Sequence, residues 1–220
     1  MNRLIFWDVD TQHDFIAPDG RLTVPRADAI IPRLAALTTY AHERQVRIVA
    51  TAEEHLPGDP ELSDRPNFDT TWPPHCMRGT PGQRKLSETA LVDPLTIGVE
   101  RREPESMRAE LARHPGDLLL LKRHFDVFTN PNAEIVVRSL DPEAVAVYGV
   151  PLEIGVKHAV EGWLTLRPKT RIFVVTDAVK AVRYELGEHA LRDWGDAGVR
   201  LVRTEEVVSE GVLDAWIGPA

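Results

Sequence analysis

The sequence predicts an α/β domain: a doubly wound, mostly parallel sheet of about six strands in three α/β/α layers, Rossmann-like in plan. Two observations carry this. Short apolar runs alternate with amphipathic stretches of helical spacing, the pattern of repeated βαβ units. The chain also has 220 residues, 43% hydrophobic and 27% charged, which fits one domain over 1–220 with a substantial buried core. In chain order the strands fall at 4–9, 46–51, 118–121, 145–148, 172–176 and 199–202. Helical spacing covers 27–44, 107–113, 133–139, 154–166 and 184–194. Residues 56–81 are rich in Pro, Asp and Thr and read as a long irregular loop, a feature that in compact domains is usually functional.

Composition narrows the function classes. A formal charge of −8, spread along the chain, argues against a nucleic-acid or anionic-membrane surface. No run approaches the roughly 20 apolar residues of a membrane span, and residues 1–6 lack a secretion signal. Cys76 is the single cysteine, which excludes an internal disulfide and fits a reducing compartment. A cytoplasmic protein acting on a small-molecule ligand is expected.

Doubly wound sheets bind ligands beyond the carboxyl ends of their strands, so the strand-end residues matter most. The first strand ends in Asp8-Val9-Asp10-Thr11-Gln12-His13-Asp14-Phe15, the second in Thr51-Ala52-Glu53-Glu54-His55, and the third in Lys122-Arg123-His124-Phe125-Asp126. The fourth leads into Gly149-Val150-Pro151-Leu152-Glu153-Ile154-Gly155-Val156-Lys157, and the long loop carries Trp72-Pro73-Pro74-His75-Cys76-Met77-Arg78-Gly79-Thr80-Pro81-Gly82. Together these segments resemble the isochorismatase-like cysteine hydrolases, and the loop resembles the nicotinamidase and pyrazinamidase branch.

The resemblance implies a site, position by position. Asp10 falls on the catalytic Asp and Lys122 on the lysine that completes the triad, while the nucleophilic cysteine falls on Gly155. A thiolate at a helix start would be favoured there, but glycine has nothing to attack with. Pro151 takes the place of a small residue preceded by a cis bond in a turn that also supplies oxyanion donors; Val150-Pro151 is therefore expected to be cis, with one N–H lost. The family's divalent ion would be held by Glu53, His55 and His75, with Glu61 nearest to the remaining ligand and Asp59 as the alternative. Two imidazoles with one or two carboxylates suit Zn²⁺, Fe²⁺ or Mn²⁺.

Phe15 and Trp72, with Val150 and Pro151, are expected to form the substrate wall, since aromatic surfaces suit a planar ring. Cys76, His13, His124 and His158 read as structural. A homo-oligomer is implied by the resemblance, with the apolar segment 207–217 as an interface. Two functions follow: hydrolysis of a small amide or related C–N bond by ion-activated water, or an inactive homologue that binds a small planar ligand or a protein partner.

Overall fold

Seven parallel strands form one sheet in the computed structural model, which describes residues 3–217. They are β1 (Leu4–Val9), β2 (Arg47–Glu53), β3 (Leu95–Ile97), β4 (Leu118–Lys122), β5 (Ala144–Gly149), β6 (Arg171–Val179) and β7 (Arg200–Val202). Their spatial order is β3-β4-β2-β1-β5-β6-β7. The helices are α1 (His13–Ile16), α2 (Ile31–Glu43), α3 (Pro104–Arg113), α4 (Ala133–Leu140), α5 (Lys157–Leu166), α6 (Tyr184–Asp196) and α7 (Thr204–Val208).

Side chains alternate across each strand, and here both faces are covered, so the strands are mainly apolar on both faces. Ile5, Trp7, Val9, Val145 and Val147 pack in one core with Met107 and Leu111 of α3, Val136 and Val137 of α4, Trp163 of α5 and Trp194 of α6. Leu4, Phe6, Ala144, Ala146 and Tyr148 turn the other way, onto Leu34 and Leu37 of α2 and Val207 of α7. The helices on that first face start and run as their sequence dictates. In α3 the Glu103 side chain accepts from the N–H groups of Glu105 and Ser106, Pro104 occupies the first turn, and Met107 and Leu111 share a face at i, i+4.

Four differences from the sequence reading have physical reasons. A seventh strand, β3, is only three residues long and carries no periodicity to read. The predicted 27–44 helix divides into a 3-10 turn over Ala27–Ile30 and α2 proper, with Pro32 in the first turn of α2, where its missing N–H is harmless. The predicted 154–166 helix opens as a π turn, Leu152–Val156, so Gly155 precedes α5 rather than beginning it. The 207–217 segment is not a free apolar face: Val207 and Leu213 are fully buried in this chain's own core, with Trp216 and Ile217 against them. Residues 56–80 hold no helix or named strand, but the His55–Met77 bridge ties them to the residues just after β2 and the Leu62–Trp72 bridge closes the loop on itself.

The direction of strand addition reverses between β1 and β5, which makes the gap beyond their carboxyl ends the switch point. Gly149 sits there at φ +119°, with any Cβ 2.1 Å from the Val9 carbonyl oxygen, so only glycine lets β5 lie this close to β1 as it ends. The Val150–Pro151 peptide bond that follows is cis. Among the described residues, no helix is long and apolar enough to cross a membrane.

Candidate active site

Strand register assembles the charged centre. Glu53 and Lys122 are direct partners at the ends of β2 and β4, and Val9 pairs with Thr51, which sets Asp10 one step beyond the ladder. Asp10 takes a left-handed φ of 51°, tolerable for Asp, and turns its carboxylate over the strand ends. There the Thr51 hydroxyl donates to Asp10 Oδ1 at 2.7 Å, and Lys122 Nζ lies 2.9 Å from Oδ2. Lys122 Nζ also donates to Glu53 Oε1 at 2.7 Å and to the Phe125 carbonyl at 3.2 Å. Lys122 and Asp10 are each 1% exposed and Glu53 3%, so this is a buried Asp–Lys–Glu array rather than a surface pair.

Burial raises the pKa of Asp10, with Lys122 opposing and Glu53 adding to the rise. Burial pushes Glu53 the same way, yet Lys122 and hydrogen bonds from His55 and His75 hold it well below the usual carboxylate range. Burial alone would strip Lys122 of its proton; the two facing carboxylates outweigh that and raise its pKa. The centre therefore carries an ionised Glu53, a firmly protonated lysine, and an Asp10 made more basic than a solvent-exposed carboxylate.

Glu53 joins this array to a second one. Its Oε2 lies 2.7 Å from His75 Nε2 and 3.1 Å from His55 Nε2. Glu53, His55, Glu61 and His75 are all buried, and each offers a ligand atom within 4.8 Å of the others. The outer nitrogens are held as in metal sites: His75 Nδ1 faces the Pro73 carbonyl at 2.7 Å, and His55 Nδ1 faces Asp59 Oδ2 at 3.3 Å. Asp59 thus orients His55 from behind, and Glu61 is the fourth member of the cluster.

The protonation of the set fits a cation. A carbonyl only accepts, so His75 Nδ1 carries a proton; Nε2 meets an ionised carboxylate, so it carries one too. Burial disfavours that charge, but the Glu53 hydrogen bond overrides it and raises the His75 pKa. Glu61 is pushed up to about 7, by burial first and by Glu53 second. Protons on His75 and Glu61 stand where a divalent ion would place its charge.

A small cavity of about 20 Å³ lies against these groups, room for about one water. Asp10, Glu53, Glu61 and His75 supply its polar wall; Phe15, Leu22, Trp72, Phe125, Pro151 and Ile154 its apolar one, with Gly155 among the lining residues. Phe15, Trp72 and Pro151 thus stand where the sequence reading put them. Val150 does not: it is 0% exposed, within the core, and absent from the lining. Its side chain packs in the core that holds Ala146 and Tyr148 of β5. A Cβ at Gly155 would meet Asp10 Oδ2 at 2.8 Å, so the carboxylate fills the space beside the turn. Cys76 is 0% exposed, its Sγ directed to the Gly82 carbonyl at 3.9 Å, and burial drives its thiol above the ordinary range. His124 and His158 flank Phe125, with ring centroids 3.9 and 5.2 Å away, and His13 lies 3.3 Å from Asp19 at the surface.

Two contributors were not singled out from sequence. Gln12 accepts the Glu53 N–H at 2.7 Å and donates to the Glu53 carbonyl at 2.8 Å, fixing that residue beyond the ladder. Phe125 walls the cavity; its place just after β4 was the only available signal.

Known proteins bear on this geometry. The isochorismatase domain model matches residues 4–206. A stretch of 79 residues is 42% identical to the nicotinamidase/pyrazinamidase of Mycobacterium tuberculosis, covering 34% of this chain and 39% of that protein. Another of 101 residues is 33% identical to the nicotinamidase of Saccharomyces cerevisiae, covering 36% and 47%. The matched stretches span less than half the length of either relative. In fold, the chain is similar to the zinc complex of Pyrococcus horikoshii pyrazinamidase, with a TM-score of 0.70 at 24% identity over 91% of this chain and 99% of that one. An isochorismatase family protein of Desulfovibrio vulgaris superposes with a TM-score of 0.73 at 18% identity, over 97% and 100%. With the domain model spanning nearly the whole length, the chain belongs to the isochorismatase family of hydrolases.

Proposed function

We propose that this protein hydrolyses a small amide or related C–N bond without a cysteine nucleophile, using water in the place the thiol would hold. The observation that carries this is the cavity itself: Asp10, Glu53, Glu61 and His75 converge on it, and Gly155 rather than a thiol lines it beside them. The one cysteine lies elsewhere, buried, with its proton firmly held.

Asp10 is the base. Its raised pKa makes it a better proton acceptor than an exposed Asp, and Oδ2 borders the space a water would occupy. Lys122 opposes the rise that burial imposes on the Asp10 pKa, and its charge favours anionic character developing nearby. Glu53, His55, Glu61 and His75 would hold a divalent cation, Zn²⁺, Fe²⁺ or Mn²⁺, in line with the zinc complex of the Pyrococcus pyrazinamidase. When bound, such an ion polarises the scissile group and acidifies water. Phe15, Trp72 and Phe125 offer aromatic surface to a flat substrate and keep bulk water out.

A second reading, ligand binding without turnover, draws on Pro151, which has no N–H to give an oxyanion where the turn faces the cavity. Losing one such donor costs about 10²–10³ in rate. One experiment separates the two. Ammonia release from a panel of small aromatic amides is measured for ion-loaded protein, for chelated protein and for Asp10→Asn. The hydrolase reading expects release that both chelation and the substitution abolish. Saturable binding with no release supports the second reading, and release indifferent to both treatments sinks the first.

A further inference from the structure

Glu61 touches the aromatic wall of the cavity at two places and the ion cluster at a third. Its Oε2 accepts the Phe125 N–H at 2.8 Å, and its backbone carbonyl accepts the Trp72 N–H, also at 2.8 Å. The Trp72 and Phe125 rings meet edge-on, centroids 5.3 Å apart, and both line the cavity. The remaining oxygen, Oε1, lies 3.9 Å from His55 Nε2, inside the cluster. At 3% exposure this carboxylate has no water to serve; its two oxygens have two separate tasks.

We propose that Glu61 is a positioning residue that couples cation occupancy of the cluster to the seating of Trp72 and Phe125 in the aromatic wall of the pocket. This rests on the reading that the cluster holds a divalent ion. A cation there relieves the repulsion between the buried Glu61 and Glu53 and fixes Oε1. A carboxylate anchored through one oxygen presents the other in a set direction, which tightens its charge-assisted bond to the Phe125 N–H. Phe125 is gripped from its other end as well, because its carbonyl accepts from Lys122. A cavity of about 20 Å³ admits nothing larger than water until its walls give way. A planar substrate that displaces the aromatic pair therefore works against Glu61, and the loaded protein holds that pair more firmly than the ion-free one.

The test is amide hydrogen exchange at Phe125 and across 123–127, with and without saturating Zn²⁺ or Mn²⁺, with ion uptake measured on the same samples by calorimetry. In the wild type the ion is expected to slow Phe125 exchange roughly tenfold. In Glu61→Gln the side-chain amide oxygen still accepts the Phe125 N–H, so ion-free exchange should stay within about twofold of wild type while the ion-dependent slowing disappears. Ion uptake with unchanged Phe125 exchange in the wild type overturns the coupling and leaves the ion reading standing, whether or not the variant folds. No uptake overturns that reading and the coupling together. Slowing that persists in Glu61→Gln, or in Glu61→Ala if the glutamine variant is unstable, overturns the assignment to Glu61.

Discussion

Replacing Lys122 with methionine removes one charge from the buried array while nearly keeping its length. In the native protein the ammonium lies 2.7 Å from Glu53 Oε1 and 2.9 Å from Asp10 Oδ2, all three residues being at most 3% exposed. Lys122→Met leaves two buried carboxylates facing the space between them with no cation. Removing one partner of a buried pair costs about 3–5 kcal/mol. In a domain of this size each kcal/mol moves the melting temperature by about 2–4 °C, so the expected loss is about 6–20 °C at pH 7. The sign of the pH dependence follows. Without Lys122, Asp10 and Glu53 titrate above their unfolded values, so the penalty is relieved by protonation at low pH and grows as pH rises. The wild type has a depressed Glu53 and loses that contribution as pH falls. The gap between the two proteins should therefore narrow below about pH 5. Thermal melts of chelated protein at pH 7 and pH 4.5 measure it. A drop of under about 2 °C at pH 7, or a gap no smaller at pH 4.5, would refute the buried-array account.

Glu61, raised to about 7, stabilises the ion-free fold below its unfolded pKa and loses that contribution as pH climbs to 7; Glu61→Gln should flatten a slope of about 3 kcal/mol between pH 5 and pH 8 in urea titrations. Gly155→Ala brings a Cβ to 2.8 Å from Asp10 Oδ2, so the carboxylate must leave Lys122, at about 1–3 kcal/mol measured as a lower denaturation midpoint. An unchanged midpoint would mean the turn is looser than described. Cys76 should resist a disulfide reagent in the native protein and react fully once unfolded, and rapid native labelling would contradict its burial.

Much of this site was legible because the buried parallel strands are mainly apolar, so the charged residues gathered at their carboxyl ends, Asp10, Glu53 and Lys122, stand out. What the strand ends do to one another was not legible. The Glu53–Lys122 pair depends on register between β2 and β4, which lie far apart in sequence, and no local pattern encodes register. Sequence puts Glu61 ahead of Asp59 for the last ligand but does not settle the choice, because the fold of the loop decides it: Glu61 joins the cluster, while Asp59 caps the Leu56 N–H and stays behind His55. β3 was too short to register, and Val150 was assigned to the cavity only by adjacency to Pro151.

The carboxamide of Gln12 has a consequence of its own. By accepting the Glu53 N–H and donating to the Glu53 carbonyl, it imitates one rung of main chain after β1 has already turned away. A neutral group that is donor and acceptor at once can forge that rung; an acid or a hydrocarbon of equal size cannot. The backbone of Glu53, whose carboxylate reaches both lysine and imidazoles, is thus held on its β1 side by a counterfeit strand residue, a single uncharged side chain in the role of main chain.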